Sequence, residues 1–292
     1  MIRMITATLA LVAAAAVVPN PAAAQKAFTG PEAAAKAFVA ALEKNDVQAL
    51  RAVLGNDWKR FIPTDDVDRE DVDSFLAAWR TSHKLLADAD NRVHLAVGAE
   101  EWTLPIPIVK NGGGWRFDVK AGAEEIRTRR IGQNELSAMQ AALAYCDAQK
   151  EYALDDRNGD GVLEYAQRLV SSPGRRDGLY WDAGADEAES PLGPLFGEDK
   201  PGTDYHGYYY RILKAQGRHA DGGAYEYRIG GRMTSGFALV AWPVRYGDTG
   251  VMTFLVNHQG QIYEKNLGPK TDSAARALKV FDPDPSWRKV AP

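Results

Sequence analysis

From Asp204 onward, glycines punctuate the chain at short intervals, and the stretches between them read as strands. They are "DYHGYYYRILKAQG", "GGAYEYRIGGRM", "SGFALVAWPVRYG" and "GVMTFLVNHQGQIYEKNL". Together they predict a four-stranded antiparallel meander. In the last of them Val251, Thr253 and Leu255 point one way, and Met252, Phe254 and Val256 the other. Both sides are apolar, so this strand is expected to be buried on both faces. Upstream, "NELSAMQAALAYCDAQKEYALDD" steps from Leu136 to Met139, Leu143 and Cys146 by threes and fours. That spacing predicts an amphipathic helix with Asn134 as its N-cap. "DDRNGDGVLEYAQ" closes the helix, and the Gly-, Pro- and Ser-rich residues 171–203 read as a long excursion with little regular structure. The tail, "SAARALKVFDPDPSWRKV", reads as a short helix and a proline-rich end.

The N-terminal half changes period once. In "FTGPEAAAKAFVAALEKNDVQALRAVL" Thr29 or Gly30 can cap, and Pro31 sits near the first helical position. Ala34, Phe38, Ala41 and Leu42 then repeat at helical spacing, and Asn45-Asp46 recaps a second helix. A third helix after "PTDDVDRED" carries Val72, Phe75, Leu76 and Trp79 on one face. Beyond it, Val93, Leu95 and Val97 alternate, as do Trp102, Leu104, Ile106 and Ile108. Pro105 and Pro107 argue for an edge strand or a bulge, and "KNGGGW" for a hairpin turn. The fold class expected is therefore α+β. Residues 25–130 form one domain, helices with a small antiparallel sheet, and residues 131–292 a second, a long helix with a meander.

The first two dozen residues stand apart. Arg3 and the apolar "MITATLALVAAAAVV" make a signal peptide too short to span a bilayer comfortably, with cleavage expected after Ala24. Removing residues 1–24 takes away Arg3 and no acid, leaving 34 Lys and Arg against 39 Asp and Glu. That acidic balance, with no polybasic run, excludes nucleic acid as the expected partner. No later stretch approaches transmembrane length, so the mature chain is expected to be soluble in the periplasm or outside the cell. Cys146 is the only cysteine, so no internal disulfide is available. On the helix stripe it reads as a small buried hydrophobe rather than a nucleophile.

Several motifs occur in order: "NELSAMQAALAYCDAQKEYA", "SPLGPL", "YHGYYYRIL", "GFALVAWPVRYGDTGVMTFLVN" and "IYEKNLG". In these the chain resembles an exported bacterial family, domain-of-unknown-function family 2950, through nearly its whole mature length. The resemblance implies an envelope location and brings no activity with it. The order of elements over residues 27–125 also resembles the cone-shaped nuclear-transport-factor-2-like (NTF2-like) fold. More loosely, the long helix, polar loop and sheet are similar to the headpiece of type IV pilins and pseudopilins. The hydrophobic stem of those proteins is missing here, which argues against polymerisation through one.

The feature closest to chemistry is the loop that ends the helix. With Asp156 as position 1, Asn158 falls at 3, Asp160 at 5, Gly161 at 6, Val162 at 7 and Glu164 at 9. This is the D-x-[DN]-x-[DN]-G spacing of EF-hand calcium loops, in which alternate residues turn their oxygens toward one centre. Gln167 stands at position 12, where a bidentate glutamate is usual. The site expected is a weak structural Ca2+ site, on the order of 10⁻⁴–10⁻³ M. The same residues also suit a simple helix-ending turn.

Nothing else spells a reaction. His83, His94, His206, His219 and His258 make no i, i+4 pair and no H-E-x-x-H. G-x-S-x-G and the phosphate-binding G-x-x-x-x-G-K-[ST] are both missing. His206 lies among tyrosines in "DYHGYYYR", which suits a ligand groove or, more simply, the two faces of a strand. The expected function is a non-enzymatic envelope protein that binds a partner protein or a small ligand. The alternative is an isomerase or hydro-lyase in the N-terminal cone, with a pocket lined by Trp79, His83, Trp102, Trp115 and Asp118. That alternative rests on fold analogy alone.

Overall fold

The computed structural model describes residues 25–62, 67–183, 189–193 and 204–291. The expected leader, residues 1–24, and parts of the 171–203 excursion lie outside these. Contacts divide the chain between Glu125 and Ile126.

In the N-terminal unit, helices α1 (Pro31–Glu43), α2 (Val47–Leu54) and α3 (Arg69–Thr81) precede a five-stranded antiparallel sheet. Gly30 is the N-cap of α1, with Pro31 in its first turn. Asp46 caps α2 by accepting from the amides of Gln48 and Ala49. Asp68 and Asp71 form a reciprocal capping box on α3. The strands are β1 (His83–Ala89), β2 (Arg92–Val97), β3 (Trp102–Thr103), β4 (Ile108–Asn111) and β5 (Gly114–Phe117). Their order is β1-β2-β4-β5, with β3 also on β2.

Two expectations need correction here. Trp102 to Ile108 is not one strand: Pro105 and Pro107, which cannot donate to a ladder, split it into β3 and β4. β1 was not foreseen, because "HKLLADA" is mostly exposed and has no alternation. The core gathers Phe38, Leu50, Val53, Leu54, Trp58, Leu95, Val97, Ile108 and Phe117. Gln25 ties the start of the described chain to it, donating to the carbonyls of Val53 and Phe117 at 3.0 and 2.7 Å.

Helix α4 runs from Val119 to Tyr152. Its N-cap is Asp118, whose carboxylate accepts from the amides of Lys120 and Ala121. Asn134 is thus interior to the helix rather than its cap, and its amide donates to the Thr249 carbonyl. The early turns, "VKAGAEEIRTRRIGQ", are polar and show no apolar stripe to read.

In the C-terminal unit the buried face of α4 is Ala138, Met139, Ala142, Tyr145, Cys146, Gln149 and Tyr152. Leu136, expected on that stripe, is 52% exposed. Small Ala138 and Ala142 let the backbone approach the sheet closely, and Tyr145 reaches the Ala238 carbonyl at 3.2 Å. The sheet is antiparallel in the order β14-β13-β12-β11-β6. These strands are β6 (Tyr208–Leu213), β11 (Ala238–Pro243), β12 (Met252–Asn257), β13 (Ile262–Asn266) and β14 (Arg288–Val290).

β12 is buried on both faces from Thr253 to Asn257, as its continuous apolar run implies. Its neighbour β11 is buried throughout. Register places Leu239, Val256 and Ile262 on one face, and Val240, Leu255 and Tyr263 on the other. Helix α5 (Thr271–Ala277) closes on β11, with Trp242 Nε1 donating to Asp272 at 3.0 Å.

The sheet's membership differs from the meander read in the sequence. "GGAYEYRIGGRM" contributes no strand to it. It folds instead as two small pairs: β8 (Tyr225–Glu226) on β7 (Ala215–Gln216), and a hairpin of β9 (Arg228–Ile229) and β10 (Arg232–Met233). The proline-rich tail supplies β14 in its place.

Candidate functional site

The loop after α4 is stitched by its own carboxylates. Asp156 Oδ1 accepts from the amides of Gly159 and Asp160 at 2.8 and 3.2 Å, and its Oδ2 from Gly161 at 2.7 Å. Asp160 Oδ1 accepts from the Val162 amide at 3.0 Å. Asn158 takes the Asp160 amide on Oδ1 and donates from Nδ2 to Glu164 Oε1 at 2.7 Å. Gly159 and Gly161 both lie at positive φ, 74° and 82°, which lets so many donors converge. Arg157 anchors the outer side, its guanidinium over the rings of Tyr152 and Trp181 and paired with Asp155 at 2.9 Å.

What the sequence did not reveal is the partner of this loop. The β9–β10 hairpin, whose two-residue turn Gly230-Gly231 sits at positive φ, lies against it. Arg232 Nε donates to Asp160 Oδ2 at 2.8 Å. The Met233 amide donates to Glu164 Oε2 at 3.0 Å, and the Met233 carbonyl accepts from the Tyr165 amide at 2.8 Å. Gln167 Nε2 donates to the Gly231 carbonyl at 2.7 Å. The Arg232 guanidinium holds the Asp160 carboxyl below its ordinary range.

Residues Asp156, Asn158, Asp160, Val162 and Glu164 are thus brought together, but as partners of backbone amides and one arginine. Among the described residues, no group of three or more His, Cys, Asp or Glu stands close enough to hold a metal ion. A divalent cation here would have to share Asp160 with Arg232.

Fully buried Gln149 ties the loop's exit to α4. Its Nε2 donates to the Ala166 carbonyl at 2.8 Å and to Tyr145 Oη at 3.0 Å, while its Oε1 accepts from the Ala166 amide at 2.8 Å. The one signal in the sequence was a polar residue on an apolar stripe.

The candidate pocket residues of the N-terminal unit do not all converge. His83 stacks on Trp79, centroids 3.6 Å apart, with Nδ1 3.0 Å from the Trp79 carbonyl, and it is exposed. Val97 pairs with both His83 and Trp102, which places those two on one row of the sheet. Trp115, on β5, instead pairs with Lys110 of β4, which is level with Asn91, the residue before β2. From Val97 to Asn91 is six residues, and from β1 to β5 three strand spacings. His83 and Trp115 therefore lie on the order of 20 Å apart. Asp118 spends its carboxylate on the α4 cap.

The tyrosine cluster is packing. Tyr208 donates to the Met252 carbonyl and Tyr210 to the Tyr205 carbonyl, while Tyr209 lies against Trp242. Cys146 donates to the Asn257 carbonyl, and burial pushes its thiol up to about 12. It is the small buried residue that its stripe implied.

The family described as protein of unknown function, DUF2950, matches residues 25–290. The chain belongs to the DUF2950 family. The match begins at Gln25, directly after the expected cleavage point, and takes in both units. No curated protein and no solved structure matches the chain. No helix among the described residues is long and apolar enough to cross a membrane.

Proposed function

We propose that this DUF2950 protein is an exported envelope protein that binds a protein partner through the loop and hairpin of its C-terminal unit. The supporting observation is apolar exposure on an immobilised backbone. Ile229 in the hairpin is 63% exposed and Leu163 in the loop 57%. Around them Asp160, Glu164, Tyr165 and Gln167 are each bonded to the hairpin. A segment already fixed loses little conformational entropy on association, so more of its contact energy appears as affinity. The leader read in residues 1–24 supports the exported half of the proposal. The alternative, an enzyme in the N-terminal unit, lacks support, because its acid is a helix cap and its histidine stacks on a tryptophan at the surface.

A photocrosslinking residue at position 229, expressed in the native host, tests the reading. One envelope protein is expected to crosslink there and not at Val47, an exposed control in the other unit. The recovered chain is expected to begin at Gln25. Equal labelling at both positions, or a cytoplasmic chain that keeps its leader, overturns the proposal.

In the same reading the loop carboxylates serve structure, with Arg232 as their cation. Millimolar calcium, compared with chelator, is then expected to leave the melting temperature unchanged. A calcium-dependent rise would instead make the loop an ion site, since a ligand that binds only the folded state raises stability by mass action.

A further inference from the structure

The turn between β12 and β13 carries a histidine that neither the loop nor the hairpin uses. The His258 amide donates to the Phe237 carbonyl at 2.9 Å, tying the turn to the start of β11. Its ring stands edge-on to Tyr227 and Phe237, with centroids 5.9 and 6.2 Å away. Nδ1 is closed off from solvent and has no hydrogen-bond partner. Gly236, at φ 141°, packs closely here: a Cβ at that position would lie 3.0 Å from Nδ1 and 2.9 Å from Tyr227 Cδ1.

The consequence depends on protonation. Neutral imidazole with its hydrogen on Nε2, the tautomer assigned by this packing, leaves only a bare lone pair at Nδ1. Imidazolium forces a charged N–H into a largely apolar contact, which the Phe237 carbonyl beside the ring offsets only in part. The groups packed around the turn offer no counter-charge. Before β11, residues 234–237 are Thr, Ser, Gly and Phe. From the β8–β9 segment comes Tyr227, whose hydroxyl donates to Gln216 and is pushed above its ordinary range by burial. From α4 comes Cys146, a neutral thiol bonded to the Asn257 carbonyl.

We propose that His258 is a pH-sensitive latch: neutral, it seals the β12–β13 turn against Tyr227 and Phe237, and protonated, it leaves that seat. Tyr227 is what the latch supports. Its amide donates to the Lys214 carbonyl, and its own carbonyl accepts from the amides of Thr234 and Ser235. Releasing His258 therefore loosens the base of both small strand pairs.

Burial lowers the His258 pKa from its ordinary value, and the Phe237 carbonyl beside the ring, which favours the charged form, opposes it in part. A folded-state pKa below the unfolded one gives a contribution fully present above about 6.5. It is lost as pH falls through the folded value.

NMR titration of the purified protein, with amide protection measured at pH 7.5 and 5.0, tests the latch. The His258 ring is expected to titrate below 6.5. Protection at Thr234, Ser235 and His258 is expected to fall about tenfold for each unit of that lowering. His258→Phe and His258→Gln are expected to abolish the pH dependence at Thr234 and Ser235. A ring that titrates at 6.5 or above, or variants that keep the parent's pH dependence, overturns the proposal. Should both variants fail to fold at pH 7.5, the titration of the unmodified protein decides it.

Discussion

Gly250→Ala is expected to destabilise the C-terminal unit by about 3 kcal/mol, near the upper end for overpacking. A Cβ at this position would lie 2.2 Å from the Tyr208 hydroxyl oxygen, 2.6 Å from Cζ and 2.7 Å from Cε2. Tyr208 has nowhere to retreat. Its ring is fully buried beside Phe254, and its hydroxyl donates to the Met252 carbonyl at 2.9 Å. Nor is the glycine's own backbone free, since its carbonyl accepts from the Gly247 amide at 2.8 Å. Tyr208→Phe removes the nearest clashing atom and leaves the ring carbons, so the double variant is expected to recover only part of the loss. A coupling of about 1 kcal/mol in a double-mutant cycle is expected. Urea unfolding of the four proteins measures it. A Gly250→Ala cost below about 0.5 kcal/mol, the range of ordinary surface substitutions, would show that the packing is looser than the geometry implies.

That contact joins the start of β6 to the strand 44 residues later, and sequence periodicity does not carry such information. Periodicity is local. It reported α1, α2 and α3, the alternation in β2, and the doubly buried β12, because burial imprints 3.6 on a helix, 2 on a strand covered on one face and a continuous apolar run on a strand covered on both. It failed where burial leaves no imprint. β1 is mostly exposed, with only Leu85 and Leu86 half-buried, and the first turns of α4 are largely polar. "AYEYRI" reads as a strand, yet its residues enter two-residue pairs outside the main sheet. β14 comes from a stretch whose prolines argued against a strand. Propensity states what a segment tolerates, whereas sheet membership depends on which edge is free when it arrives.

The candidate site was half legible for a related reason. The spacing of Asp156, Asn158 and Asp160 within one loop is a local property, and the structure does gather them in one turn, where the two carboxylates accept from backbone amides. Their partner, Arg232, lies 72 residues away from Asp160, and nothing in "GGRM" announces it. Gln167 is the instructive case. Against calcium-loop spacing it looks like a missing glutamate. In the fold its Nε2 donates to the Gly231 carbonyl. A glutamate would set a carboxylate oxygen against that carbonyl with no proton between them. The departure from the motif is a requirement of the hairpin contact.

The second large effect is expected at the other end of that loop, where Gln149→Leu should cost about 3 kcal/mol. Leucine fills nearly the same space but makes none of the three bonds, so the Ala166 amide and carbonyl lose their partner inside the protein. Each unsatisfied buried backbone group costs about 1–3 kcal/mol, and partial relaxation reduces the sum. Tyr145 keeps its bond to the Ala238 carbonyl, so the damage is confined to the segment that Gln149 holds. Ala166 directly follows Glu164 and Tyr165, which carry the hairpin, and precedes Gln167, which reaches Gly231. Losing the Gln149 clamp therefore weakens the hairpin without altering a residue that touches it. Limited proteolysis, under conditions where both proteins remain folded, is expected to cut between Asp155 and Gln167 faster in Gln149→Leu than in the parent. Asp160→Ala, which removes an exposed ion pair and an exposed bond from the Val162 amide, is expected to change global stability far less. If Gln149→Leu is instead as stable and as protease-resistant as the parent, the loop is held by its own carboxylates alone. The clamp from α4 is then dispensable.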